Sequence, residues 1–111
     1  MPRDYRLYLE DILDSIQKIH NYMSGISVES LEHDPKTLDA IIRNLITIGE
    51  AVKNLPPEIR ERYPDIEWKK IAGLRDILIH SYMSLNLKII KVVVCDRLPS
   101  LESRIKEMMN D

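Results

Sequence analysis

One stretch of the chain, residues 68–82 (WKKIAGLRDILIHSY), limits what the whole molecule can fold into. Apolar residues occur there at nearly every angle around a helix, which is typical of a helix surrounded by other protein. Yet Arg75, Asp76 and His80 lie inside this apolar stretch. Charged groups are costly in such a setting unless they are paired or used for chemistry. The stretch therefore predicts a central helix that carries a functional site.

The polar side chains of this stretch suit chemistry on a phosphate. Arg75 is permanently charged and presents a planar fork of donors to phosphate oxygens. His80 titrates near neutral pH and can move protons in either direction. Tyr82 is a hydrogen-bonding phenol and a possible site of covalent modification. Asp76 precedes His80 by one helical turn, so its carboxylate is placed to orient the imidazole.

The spacing of Arg75 and His80 restricts how they can act together. Five residues at about 100° each separate the two positions by roughly 140° around an ideal helix. One helix does not easily aim both side chains at the same phosphate. We expect them to converge only if the helix ends near His80, or if a second copy of the chain supplies the missing half.

Two long helices are predicted before this stretch, because apolar residues recur there at helical spacing. The first covers residues 4–25 and the second residues 35–55. Asp34 is the expected N-cap of the second helix, and Pro35 is its expected first residue. Gly49 lies inside the second helix, where glycine costs helix stability. We therefore expect a neighbouring helix to approach closely at Gly49.

The remaining segments also predict helices. A short helix is expected over residues 58–63. Residues 86–98 are rich in β-branched side chains, which favour strands, but their apolar residues have helical spacing and no second strand exists to pair with. Pro99 must kink or restart this last helix. Gly73, within the central stretch, predicts a tight contact between two helices or between two subunits.

Composition indicates one small domain, residues 1–111, with 44% hydrophobic residues and a net charge of −2. The single Cys95 excludes an internal disulfide, suits a reducing cytoplasm and follows three valines, so we expect a core thiol. No apolar run has the length of a membrane span and no signal peptide precedes Asp4, which predicts a cytoplasmic protein. The charge argues against a general nucleic-acid coat, but is compatible with a nuclease that has a local basic cleft.

Motifs for metals and cofactors are missing from the sequence. It has no H-E-x-x-H, no pair of cysteines and no carboxylate triplet of metal-ligand form. Three glycines lie too far apart to form a phosphate loop. We expect neither a metal nor a cofactor.

The sequence RDILIHSY resembles the R-x4-H-x-Y motif of the HepT-like (DUF86) branch of the HEPN superfamily. The similarity extends along almost the whole chain. Residues 3–13 (RDYRLYLEDIL), 41–56 (IIRNLITIGEAVKNLP) and 63–80 (YPDIEWKKIAGLRDILIH) all resemble that branch.

The resemblance implies an all-α fold, an antiparallel HEPN-type bundle of four to five helices that forms a homodimer with both motifs at a shared cleft. It implies a metal-independent endoribonuclease acting on RNA as the toxin of a toxin–antitoxin pair. The implied partner is a minimal nucleotidyltransferase (MNT-type) antitoxin. Arg75 and His80 match the catalytic pair of the family, and Tyr82 matches the tyrosine that the antitoxin adenylylates. The resemblance also implies Asn44 and Glu50 as supporting residues, in addition to Asp76, which its spacing places near His80.

Two alternatives to the nuclease remain open. In the first, Arg75, Asp76 and His80 form a buried ionic network that only fixes the fold or the dimer register. In the second, the cleft belongs to a non-catalytic HEPN module that binds a nucleotide or a protein without cutting RNA.

Overall fold

The computed structural model describes residues 4–80 and 87–111, and of Ile79 and His80 only the backbone. All regular structure in these ranges is helical: α1 (Tyr5–Tyr22), α2 (Pro35–Asn54), α3 (Pro57–Arg62), α4 (Trp68–His80), α5 (Leu87–Val92) and α6 (Leu98–Asn110). A 3₁₀ helix, Val28–His33, precedes α2, and a π-helical turn, Val93–Arg97, joins α5 to α6. The prediction of an all-α fold is confirmed. No helix in the described part of the chain is long and apolar enough to cross a lipid bilayer.

The two long N-terminal helices begin where the sequence predicts. The carboxylate of Asp4 accepts a hydrogen bond of 3.0 Å from the backbone N–H of Arg6 at the start of α1. The carboxylate of Asp34 accepts one of 3.2 Å from the N–H of Thr37, and Pro35 is the first residue of α2. These caps satisfy donors that the first turn of a helix leaves unpaired, which is why the helices start there.

Helix α2 forms the centre of the bundle and packs against α1 on one side and α4 on another. α6 returns to pack against α1. The fully buried side chains come from every long helix, and they include Leu9, Ile12, Ile41, Leu45, Ile48, Leu78 and Ile105. This single core holds α4 against α2, and α4 carries the candidate site.

Trp68 fixes the start of α4. Its indole ring is buried, and its Nε1–H donates to the backbone oxygens of Arg60 at 3.1 Å and Tyr63 at 3.0 Å. Both acceptors lie at the end of α3, where the last carbonyls of a helix have no partner within the helix. One side chain therefore ties the end of α3 to the first residue of α4.

The C-terminal helical run passes through Pro99 by means of the π-helical turn. Pro99 has no N–H and its ring would clash with the carbonyl of Cys95 in a regular α-helix. The wider π-helical turn immediately before α6 relaxes this conflict, and both Arg97 and Leu98 keep helical backbone angles. The prediction that Cys95 lies in the core is wrong, because its side chain is exposed. Successive helical residues point about 100° apart, so a run of three valines and a cysteine cannot all face inward.

Helix α4 is covered on only one side. Trp68 and Leu78 are buried, whereas the Ile77 side chain is 50% exposed. A methyl group built on Gly73 would have no described atom within 4 Å. Within the described part of a single subunit, the prediction of a helix surrounded by protein is therefore wrong. The predicted tight contact of Gly73 with a second helix or a second subunit is not found among the described residues and stays a prediction for a second subunit.

Candidate active site

Gly49 allows α4 to approach α2 closely, as the sequence predicts. A Cβ atom built on Gly49 would lie 2.9 Å from the Cβ of Arg75 and 3.2 Å from the backbone oxygen of Ile71. Any side chain on Gly49 would therefore push α4 away. The approach brings Arg75 next to Glu50, the residue that follows Gly49 on α2.

The guanidinium of Arg75 is held by two carboxylates. Its Nε donates to Oε1 of Glu50 at 3.1 Å, and its NH1 donates to Oδ1 of Asp76 at 3.0 Å. The Glu50 carboxylate, and to a lesser degree Asp76, raises the pKa of Arg75, so the guanidinium stays charged. Glu50 was predicted as a supporting residue through the family resemblance and Asp76 as the partner of His80; the structure brings both carboxylates to Arg75.

This network lies at the surface. The side chain of Arg75 is 31% exposed, and those of Glu50 and Asp76 are 53% and 63% exposed. Ion pairs in water contribute little to stability. The alternative of a buried network of Arg75, Asp76 and His80 therefore does not fit the exposed Arg75 and Asp76 in a single subunit. Solvent can reach the guanidinium.

Asn44 lies on the same helix as Glu50 but has a different contact. Its Nδ2 donates to the backbone oxygen of Ala40 at 2.9 Å, within α2. The described hydrogen bonds do not link Asn44 to Arg75. Its supporting role stays a prediction.

The structure describes His80 only in part, and Tyr82 lies outside the residues that it describes. His80 is the last residue of α4, five positions after Arg75, and only its backbone is described. The predictions about the His80 imidazole and the Tyr82 phenol, and the orienting role of Asp76 toward His80, therefore stay predictions.

Two positioning residues did not stand out as part of the site from sequence. Gly49 sets the distance between α2 and α4, and Trp68 anchors the start of α4. The sequence signal for Gly49 was its place in the helix interior directly before Glu50, in IGEAV. Trp68, followed by two lysines, gave no comparable signal. Among the described residues, no group of three or more His, Cys, Asp or Glu side chains could hold a metal ion.

The fold and the site define a class: a small helical protein whose helix α4 carries a solvent-accessible arginine five residues before a histidine. The model of one family, described as Ribonuclease HepT-like, matches residues 12–108 of the chain. The chain belongs to the HepT-like family. The resemblance predicted from RDILIHSY and its flanking segments is thus confirmed.

Relatives of the same length support this assignment. The chain is 44% identical over 104 residues to "Putative RNase TTE0752" of Caldanaerobacter subterraneus subsp. tengcongensis, covering 94% of this chain and 93% of that protein. It is 40% identical over 112 residues to "Putative RNase MJ0127" of Methanocaldococcus jannaschii, covering 100% and 93%. It is 36% identical over 108 residues to "Probable ribonuclease HepT" of Thermococcus cleftensis, covering 97% and 98%. No solved structure matches the chain.

Proposed function

We propose that this protein is a metal-independent endoribonuclease and the toxin of a HEPN/MNT toxin–antitoxin pair. One observation carries the proposal: in a member of the HepT-like family, Arg75 is held at a solvent-accessible position on α4, five residues before His80. The names of the relatives, which describe ribonucleases, support the same activity.

The proposed reaction is an internal transfer at a phosphodiester of RNA. The ribose 2′-OH attacks the adjacent phosphorus, and the bond from phosphorus to the 5′-oxygen breaks. A general base takes the proton of the 2′-OH, and a general acid gives a proton to the departing 5′-oxygen. The products are a 2′,3′-cyclic phosphate and a 5′-OH, so no metal-activated water is needed.

Each predicted site residue has a role in this reaction. His80 acts as general base or general acid, and His80 of the partner subunit takes the other role in a homodimer. Arg75 binds the scissile phosphate and stabilises the negative charge that develops in the transition state. Glu50 and Asp76 hold the guanidinium, and Asp76 also orients His80. Asn44 supports the α2 side of the site.

The proposed partner is a nucleotidyltransferase antitoxin. The phenol oxygen of Tyr82 attacks the α-phosphorus of ATP, and pyrophosphate leaves. The adenylyl group adds bulk and negative charge two residues after His80, where the phosphate of RNA must enter. RNA is then excluded by sterics and by repulsion.

The test is RNA cleavage by the purified protein in EDTA. We expect the wild type to cut and to leave 2′,3′-cyclic phosphate ends, and we expect Arg75→Ala and His80→Ala to stop cutting. The matched controls are Arg62→Ala and His33→Ala, which remove an exposed arginine on α3 and an exposed histidine on the 3₁₀ helix, outside the two helices that carry the site. Both controls should cut like the wild type.

Three outcomes would contradict the proposal. If Arg75→Ala and His80→Ala fold and cut like the wild type, the site is elsewhere. If the wild type binds RNA or a nucleotide but never cuts, the protein is the non-catalytic binding module. Cleavage that EDTA abolishes would overturn the metal-independent mechanism.

A further inference from the structure

A row of basic residues follows the solvent-exposed side of α2 and leads to Arg75. Lys36, Arg43 and Glu50 are spaced seven residues apart, so their side chains leave the helix in nearly the same direction, about 10 Å apart along its axis. All three are exposed. Glu50 accepts a hydrogen bond of 3.1 Å from Nε of Arg75. The row therefore runs from Lys36 through Arg43 to Arg75, and we call these three residues the cationic row.

Arg43 differs from many cations of the chain, because no described carboxylate pairs with its charge. The ion pairs among the described residues use seven cations: Lys18, Lys70, Arg75, Lys91, Arg97, Arg104 and Lys106. Asp39 lies one turn before Arg43 on α2, but no described ion pair joins the two. The exposed guanidinium of Arg43 can therefore bind an anion from outside the protein without first leaving a described carboxylate.

The surface between Arg43 and Glu50 is free of acidic side chains. Residues 44–49 contain no Asp or Glu, and Thr47 is the exposed member of this segment. The hydroxyl of Thr47 donates to the backbone oxygen of Arg43 at 3.1 Å, within α2. A chain of phosphates that runs from Arg75 to Arg43 would therefore meet no carboxylate of α2 between Glu50 and Arg43.

The chemistry of this side of α2 suits a polyanion better than a protein. The exposed large hydrophobic residues of the described chain lie outside α2. A protein interface usually has an apolar centre, which the cationic row lacks. A guanidinium binds phosphate through two parallel hydrogen bonds, and the long, flexible stem of arginine lets it reach along a strand. The row therefore fits the regularly spaced phosphates of a nucleic-acid strand.

We propose that Arg43 binds a phosphate of the RNA strand close to the scissile one, so that the bound strand lies along α2 from Arg75 toward Lys36. This inference rests on the proposed function, because it takes Arg75 as the residue that holds the scissile phosphate. Arg43 contributes to RNA binding and not to bond cleavage, since it contacts only the flanking phosphate. Lys36 adds a more distant contact to the same strand.

The affinity for RNA that cannot be cut tests this contact. A fluorescent oligonucleotide with 2′-O-methyl groups has no 2′-OH to attack the phosphorus, so its anisotropy over a salt series reports binding alone. Arg43→Ala should raise Kd about 5-fold, the size of one strong solvated ion pair. It should also reduce the slope of log Kd against log salt by about 0.7, the value for one phosphate of a single strand. Arg43→Lys should keep most of the affinity, because an ammonium also binds phosphate.

Cleavage kinetics separate the flanking contact from the chemistry. On a long RNA, Arg43→Ala should raise KM about 5-fold and leave kcat unchanged, because the contact is the same in the ground state and the transition state. On the dinucleoside monophosphate of the wild-type cleavage site, which has only the scissile phosphate, its kcat/KM should equal that of the wild type. Arg62→Ala, at an exposed arginine of α3, removes the same charge and should change neither Kd nor KM. Circular dichroism checks that each variant is folded.

Several outcomes would overturn the Arg43 contact. They are an unchanged Kd in Arg43→Ala, an equal loss of affinity in Arg62→Ala, or an equal loss of kcat/KM on the dinucleoside monophosphate. If Arg43→Ala keeps its RNA affinity and loses only antitoxin binding, the row belongs to the antitoxin. The nuclease proposal fails separately: a wild type that binds RNA through Arg43 but never cuts it leaves this contact in place. A wild type that neither binds nor cuts RNA overturns both.

Discussion

Gly49 of α2 lies directly beneath Arg75 of α4, close enough that a methyl group on Gly49 would come within 2.9 Å of the Arg75 Cβ. A separation of that size essentially never occurs between real Cβ atoms. The position of the candidate phosphate-binding arginine thus depends on the absence of a side chain one helix away.

Gly49→Ala should destabilise the protein, although the same change usually stabilises a helix by about 1 kcal/mol. The new methyl group would press on backbone atoms of α4, which cannot rotate away as a long side chain can. We expect a net loss of about 1–3 kcal/mol in the free energy of unfolding, together with reduced RNA cleavage. Urea unfolding measures the first effect. A gain in stability would contradict the close approach.

Glu50→Gln and Glu50→Ala should have different effects on RNA cleavage. Glutamine keeps an oxygen that can accept from Nε of Arg75, whereas alanine leaves the guanidinium free to reorient. We expect Glu50→Ala to lower kcat about 10-fold through loss of orientation. Glu50→Gln should keep kcat and lower KM at low salt, since one negative charge near the phosphate is gone.

The control for net charge is Glu32→Gln, which changes an exposed glutamate on the 3₁₀ helix. It should leave both kinetic constants unchanged. Equal loss of kcat in Glu50→Gln and Glu50→Ala would mean that the charge of Glu50, rather than its hydrogen bond, is what the reaction needs.

Trp68→Phe should lower the free energy of unfolding by about 1–3 kcal/mol, because the backbone oxygens of Arg60 and Tyr63 lose their shared donor. The aromatic ring itself is largely conserved. Urea unfolding at one fixed protein concentration measures the change, with Tyr22→Phe at an exposed tyrosine as control. Equal stability of the two variants would show that the indole hydrogen bonds contribute nothing net.

Acid should weaken the contact between Asp65 and Arg104. Arg104 donates to both carboxylate oxygens, and these hydrogen bonds hold the pKa of Asp65 below its ordinary value. A carboxyl whose pKa is lowered by folding stabilises the protein above its unfolded pKa, and loses that effect as the pH falls through the folded pKa.

The Tm difference between wild type and Asp65→Asn should therefore be largest near neutral pH. It should shrink below about pH 4, as Asp65 becomes protonated in the wild type. Thermal melts from pH 7 to pH 3 measure it. A Tm difference that grows on acidification would mean that protonation of Asp65 strengthens, rather than weakens, its contribution to stability.

Tyr82 is expected to be the residue that the antitoxin modifies. Co-expression with an MNT-type nucleotidyltransferase should add the mass of one adenylyl group to the wild type, and mass spectrometry should find no such addition in Tyr82→Phe. Tyr22→Phe should still be modified. Modification that persists in Tyr82→Phe would assign it to another residue.

The sequence predicts most of the helices because their ends carry local signals. Asp34 and Pro35 define the start of α2 by hydrogen bonding and by ring geometry, which do not depend on the rest of the fold. Gly49 also predicted a structural feature from a local signal. A glycine in a helix interior costs stability, so its presence indicates that a neighbouring helix packs closely there. The contact of Glu50 with Arg75, by contrast, was expected only through the resemblance to the family.

The features that were mispredicted depend on packing across the molecule. The three valines before Cys95 predict a buried thiol, but the direction of the Cys95 side chain depends on which side of the C-terminal helix faces the core. The exposure of Ile77 depends on where the bundle ends, which local periodicity does not encode. The π-helical turn before Pro99 likewise follows from tertiary packing.

The two carboxylates around Arg75 have a consequence for selectivity between anions. Orthophosphate or a free mononucleotide must compete with the carboxylates of Glu50 and Asp76 for the guanidinium of Arg75. A small anion of this kind gains little binding energy, because the two carboxylates already offset the charge of Arg75. A polynucleotide brings further contacts along its backbone, and these can offset the exchange. If Arg75 binds the scissile phosphate as proposed, we expect the protein to bind polynucleotides in preference to small phosphates.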